Sequence, residues 1–157
     1  MTELYQCIKN LTTAIKNDNS DEVLMIMGTN KYHSTNLIEI FQQCIDCNAI
    51  NTFETVYETY NYDNRFDYSI ISYSHLKNNE QFLNCIIEKA DPLVVISFAI
   101  YSDDVKYLKN IIDKFTIMYS KKSTDKFLYT ILKRDKSNET TMNNCHQYIE
   151  KTIKIEK

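Results

Sequence analysis

The 157 residues suffice for one domain or one short repeat array, and the shares of hydrophobic (43%) and charged (25%) residues are ordinary for a globular chain. A net charge of -3 excludes the basic footprint of a nucleic-acid-binding domain, and no polybasic run argues for a membrane surface. One glycine (Gly28) and one proline (Pro92) are too few for the tight turns of a sheet protein, so the composition predicts an all-α fold with short polar turns.

Apolar residues recur in steps of three and four from end to end, the helical period. Leu4, Cys7, Ile8, Leu11 and Ile15 mark one face of a first helix. Ser20, Asp21 and Glu22 open a second, with acids where the helix dipole favours them, and Gly28 stands where a left-handed C-terminal cap is expected. Ser34 and Thr35 are candidate caps for a third, striped by Leu37, Ile40, Phe41, Cys44 and Ile45. Asn51 with Glu54 resembles a capping box opening a fourth. Tyr68 to Leu76 reads as a fifth helix, although its β-branched and aromatic residues also suit a strand. Asn78 and Gln81 repeat the capping signal before a sixth helix carrying Phe82, Leu83, Cys85, Ile86 and Ile87. Asp91-Pro92 is the clearest punctuation, a cap followed by proline at the first helical position. The apolar run Leu93 to Ile100 predicts a buried central helix. Ser102, Asp103 and Asp104 open an eighth helix, and 123–134 and 138–154 give the last two.

Two segments overlay: FLNCIIEK at 82–89 and YLKNIIDK at 107–114 match in aromatic, Leu, Ile-Ile, acid and Lys, the mark of an irregular internal repeat. The stretch IIEKADPLVVISFAIYSDDVKYLKNIIDKF resembles an ankyrin repeat. Ala90, Asp91, Pro92, Leu93, Ala99, Asp104, Val105, Leu108, Ile111 and Ile112 stand where that family places its turn, its inner helix and its outer helix. The resemblance implies a single helical-repeat domain over 1–157, a degenerate ankyrin-like array of about five stacked antiparallel helix hairpins. The family's Thr before Pro, His after Leu and Gly-His turn are missing, so irregular loops are expected in place of β-turn fingers. Degenerate chains this rich in Asn and Ile are similar to those of large cytoplasmic DNA viruses, poxviruses or mimivirus-like viruses. That likeness implies a non-enzymatic protein–protein interaction module, without cofactor, binding a host or viral protein to modulate the host response. Alternatives are a structural or assembly subunit of a viral complex, and a bundle resembling viral Bcl-family apoptosis inhibitors.

The N-terminal MTELYQCIKN has no apolar signal core and no apolar run reaches membrane-spanning length, so the expected location is cytoplasmic. The cysteines Cys7, Cys44, Cys47, Cys85 and Cys145 then read as reduced, mostly buried thiols. Cys44 and Cys47 form a CxxC, but structural zinc needs four ligands and no second such pair exists, so the core reading is preferred. Cys145 and His146 are neighbours pointing about 100° apart on a helix, so Cys145 is expected in the core and His146 at the surface. His33 and His75 stand isolated. One glycine excludes a phosphate-binding glycine loop, and Asp103-Asp104 is better explained as a helix start than as an acid–base pair. The stretch from Tyr57 to Tyr73 alternates tyrosines with acids. Half of its rings are expected to pack, leaving Tyr60, Tyr62 and Arg65 as the partner-binding candidates.

Overall fold

A computed structural model of the chain describes residues 3–29, 34–61 and 64–153, without the side chains of 3–5 and 34–36. Every regular element among them is helical: α1 (Glu3–Lys16), α2 (Ser20–Thr29), α3 (Ser34–Asp46), α4 (Ile50–Tyr60), α5 (Asp67–Leu76), α6 (Glu80–Lys89), α7 (Pro92–Tyr101), α8 (Val105–Met118), α9 (Lys121–Ser137) and α10 (Asn144–Thr152). The stretch after Tyr68 is therefore helix; its strand alternative is discarded.

One turn recurs at the end of every odd-numbered helix. Asp18, Asn48, Asn78, Asp103 and Glu139 all adopt positive φ, between 51° and 55°. Around each, the amide of the left-handed residue donates to the carbonyl three residues back, and the next amide to the carbonyl five back. Asp18 pairs with Ile15 and Asn19 with Ala14; Asn48 with Ile45 and Ala49 with Cys44; Asn78 with His75 and Asn79 with Ser74; Asp103 with Ile100 and Asp104 with Ala99; Glu139 with Lys136 and Thr140 with Asp135. This is the Schellman closure, which satisfies carbonyls a helix end leaves open. The five-back acceptor is small and buried in the first four turns: Ala14, Cys44, Ser74 and Ala99 are each no more than 1% exposed.

The residue after the left-handed position then starts the next helix. Asn19 accepts from the Glu22 amide, Asn79 from Phe82 and Asp104 from Tyr107. Ala49 has no such side chain, and Asp18 supplies the cap instead, accepting from the amides of Thr52 (2.8 Å) and Asn51 (3.3 Å) at the start of α4. Asp103 does the same for α10, accepting from the Cys145 amide and the Asn144 side chain, both at 3.1 Å. Asn48 accepts from Asn79. Each of these left-handed residues thus ties one hairpin to the next.

The chain divides into two compact units, Met1–Asn84 and Cys85–Lys157, with the boundary inside α6. In the first, α3 packs against α1 and α5 while α2 packs against α4, making one layer of odd and one of even helices. Its core centres on Phe41, whose ring meets Phe53, Tyr57 and Phe66 at 5.7, 6.3 and 6.1 Å; Phe53 in turn meets Phe82 edge-on at 5.1 Å. In the second, α7, α8, α9 and α10 enclose Ile96, Ala99, Leu108, Ile111, Phe115, Leu128, Ile131, Cys145 and Ile149, all buried. Asp91 caps α7 through the Leu93 amide, with Pro92 at the first helical position, and Val95, Ile96, Phe98, Ala99 and Ile100 are buried as the sequence leads one to expect.

Several local expectations are corrected. Gly28 lies within α2 and has no positive φ; Asn and Asp take four of the five left-handed turn places instead, because their short polar side chains tolerate them. Asn51 does not cap α4, which begins at Ile50. Asn79 rather than Asn78 caps α6. α9 starts at Lys121 rather than 123, and α10 at Asn144 rather than 138. Ile8, placed on the apolar face by its spacing, stays 51% exposed, whereas Ala14 is buried.

Asp18→Ala removes the shared cap and leaves alanine at positive φ, which should cost about 1–2 kcal/mol in urea unfolding, whereas Asp18→Asn keeps both features and should lose only a few tenths. Equal losses in the two variants would refute the capping role.

Candidate functional site

The tyrosine-rich stretch is organised by a buried carboxylate. Asp67, fully buried, accepts from the Tyr57 hydroxyl at 2.5 Å and from the Asn61 side-chain amide at 2.7 Å, while Asn61 Oδ1 accepts from the Phe66 amide at 3.0 Å. These bonds bind the end of α4 to the start of α5 and satisfy polar groups that would otherwise be costly to bury. Tyr57 and Phe66 belong to the core accordingly. Of the proposed contact residues, Tyr60 is half-buried and Arg65 exposed, its guanidinium 6.0 Å from the Phe66 ring centre; Tyr62 lies outside the described residues, as does His33. Further along, the Tyr73 hydroxyl donates to the Asp46 carboxylate at 2.8 Å while Lys77 lies over its ring.

The CxxC has a structural explanation in the recurring turn. Cys44 is the small buried residue whose carbonyl closes it, and Cys47 sits half-buried just before left-handed Asn48. Among the described residues, no group of three or more His, Cys, Asp and Glu is placed to hold a metal ion. Burial pushes the Cys44 thiol from 9.0 up to about 12, with Asp18 and Cys47 adding to the rise.

His146 departs from expectation. It is 1% exposed because it occupies the third position of α10, where its ring folds back into a capping box usually completed by Glu or Gln. Its Nδ1 accepts from the Asn143 amide at 3.0 Å, which places the ring proton on Nε2, and Nε2 donates to Asp135 Oδ2 at 2.7 Å. Arg134 holds the other oxygen of Asp135 at 3.1 Å. Cys145 is buried as expected, and its Sγ reaches the Ala99 carbonyl at 3.5 Å. Burial, helped by Asp103 and Asp104, pushes its thiol up to about 12. The two side chains serve different neighbours, so they do not form a nucleophile–base pair.

A third region carries signals that the sequence reading passed over. At the end of α8, Ile117 is 86% exposed, followed by exposed Met118 and Tyr119. Ser120 then turns the chain at φ 146°, ψ 166°, a conformation rarely adopted outside glycine, and its hydroxyl caps α9 through the Ser123 amide at 3.1 Å. Behind the corner the Phe115, Tyr119 and Phe127 rings contact one another edge-on. Along α9, Thr124, Leu128, Ile131, Leu132 and Asp135 face inward, while Lys122, Lys126, Tyr129 and Lys133 are exposed at the helical spacing of the opposite face. A shallow open recess of about 450 Å³ runs along Tyr129, Thr130, Lys133, Arg134 and Ser137.

Two expectations follow. The Cys44 and Cys145 thiols ionise near pH 9.0 when unfolded and near 12 when folded, so their contribution to stability is full below pH 9.0 and is lost as the pH rises towards 12. The urea midpoint should fall across that window, and Cys44→Ala should flatten the fall; a midpoint unchanged up to pH 11 would contradict this. Ser120→Gly relieves the positive φ and sacrifices only a weak cap, so it should stabilise the chain by about 1 kcal/mol in thermal unfolding. Destabilisation would show that Ser120 is not strained.

Set against known protein families, characterised proteins and solved structures, the chain matches none.

Proposed function

We propose that the chain is a non-enzymatic protein-interaction module whose stacked hairpins hold a binding surface at the corner between α8 and α9. The observation that carries this reading is the run of exposed Ile117, Met118 and Tyr119 directly before strained Ser120. Apolar side chains exposed in a contiguous run mark interaction sites more often than scattered ones do, and a strained residue persists only where surrounding structure enforces it. The Ile117 side chain is left almost wholly in solvent. The likeness to ankyrin-like viral chains supports a host or viral protein as the partner, and a viral origin stays part of the proposal. The recurring hairpin turn favours a stack over a Bcl-like bundle, in which a central helix is wrapped by its neighbours.

A second reading, an assembly subunit, is favoured by one observation. Residues 1–84 carry 5 basic and 11 acidic side chains, and residues 85–157 carry 13 and 10, which gives the two units net charges of -6 and +3. Opposite charges of this kind permit head-to-tail association between copies.

The test is capture of partners by immobilised wild-type chain beside an Ile117→Ser/Tyr119→Ser variant and a Tyr60→Ser/Tyr62→Ser/Arg65→Ser variant, with circular dichroism confirming that all fold. Loss of a protein partner in the first variant, by tenfold or more in affinity, is expected. Retention there with loss in the second would move the site to the α4–α5 loop. Recovery of no protein but the chain itself would favour the assembly reading.

A further inference from the structure

The outer face of α9 carries its charges at a local cost. Lys121 and Lys122 occupy the first turn, which contains no acid, where the helix dipole disfavours cations. Lys121 is compensated by Asp125 at 3.0 Å. Lys122 has no such partner among the described residues, and Lys126 lies one turn beyond it on the same face, a like-charge pair that weakens a helix. Lys133 continues the line two turns further on, so three lysines without an ion pair among the described residues span about 17 Å of one helix face. The acids of α9 do not offset them: Asp125 is engaged by Lys121, and Asp135 points inward to His146 and Arg134. Tyr129, 46% exposed, sits in the middle of the line beside the shallow recess. Local rules broken together on one solvent face, without compensation inside the fold, are what a binding surface leaves when its partner is absent.

We infer that this face, Lys122, Lys126, Tyr129 and Lys133, binds an acidic segment of a protein partner, with the carboxylates on the lysines and an apolar or aromatic side chain against Tyr129. The inference rests on the protein-interaction reading and names the chemistry of its partner. Charge complementarity selects the occupant. An acidic polypeptide is preferred to nucleic acid because the second unit is only +3 overall, Lys136 is spent on Glu150 at 2.9 Å, Arg134 is spent on Asp135, and a single exposed tyrosine offers no series of stacking platforms.

The test measures fluorescence anisotropy of a labelled peptide of alternating Glu and Ala around a central Leu-Phe pair, titrated with the full chain. Controls are the same peptide with Lys for Glu, and a single-stranded oligonucleotide of equal charge. The acidic peptide should bind, weaken as salt rises, and lose about tenfold or more in affinity with Lys126→Glu/Lys133→Glu. Tyr129→Ala should weaken binding with little change in its salt dependence. Circular dichroism and the urea midpoint establish that the variants fold, and exposed side chains of this kind are expected to change stability little. Equal binding to wild type and variants, no binding at low salt, or tighter binding of the oligonucleotide overturns the inference. So does a concentration-dependent rise in mass by light scattering that the double variant abolishes, since the occupant would then be a second copy. A captured partner whose binding survives Lys126→Glu/Lys133→Glu would refute this inference while leaving the interaction-module reading intact.

Discussion

The structure depends on a backbone constraint: at the end of each odd-numbered helix one non-glycine residue must turn left-handed so that its own amide and the next can close the helix. Asp18, Asn48, Asn78 and Asp103 accept that conformation at a modest cost, because short polar side chains tolerate it better than branched or bulky ones; Glu139 adopts it in the last turn. The closure fixes the exit of one helix and the entry of the next. It also places a carboxylate or amide where it can serve the neighbouring hairpin, as Asp18 does for α4 and Asp103 for α10. A chain with a single glycine has thereby built the turns that other folds assign to glycine, and has used their side chains as ties between hairpins.

Once the turns are set, the rest follows from packing. Ala14, Cys44, Ser74 and Ala99 are small and buried at the closures, and Phe41, Phe53, Tyr57 and Phe66 join in the aromatic core of the first unit. The last turn breaks the pattern: a buried Asp135 replaces the small residue, and His146 and Arg134 follow to satisfy it. A buried charge with hydrogen-bonded partners is tolerated, and removing either partner would expose the cost of the other.

Helix periodicity made the ten helices and most of the core legible in the sequence, since inward-facing Leu, Ile, Val and Phe repeat at the spacing of one face. Asp91-Pro92 was legible too, because proline leaves few other readings. The turns were not. Their signature, a small residue, usually Ile, two free positions and then Asn or Asp, recurs at 14–18, 44–48 and 99–103, with His75 replacing Ile at 74–78. Neither Gly28 nor a serine cap forms part of it. Ala14, Cys44 and Ser74 stand thirty residues apart in this signature, which accounts for Cys44 in the apparent CxxC. His146 was misplaced because histidine seldom completes a capping box. Of the surface, Tyr60 and Arg65 drew notice through composition, whereas the α8–α9 corner could not: exposure of Ile117 and the φ of Ser120 are tertiary facts that no local pattern encodes.

The left-handed turns lock the hairpins and so fix the outer faces of the helices. Hydrogen exchange of the amides of Asn19, Ala49, Asn79, Asp104 and Thr140 tests it most directly, since each lies outside a helix yet donates to a carbonyl five residues back. These amides should exchange as slowly as the last turns of the helices they close. Exchange at the rate of open loops would mean that the turns are not closed, and the fixed surfaces inferred from them would fall together.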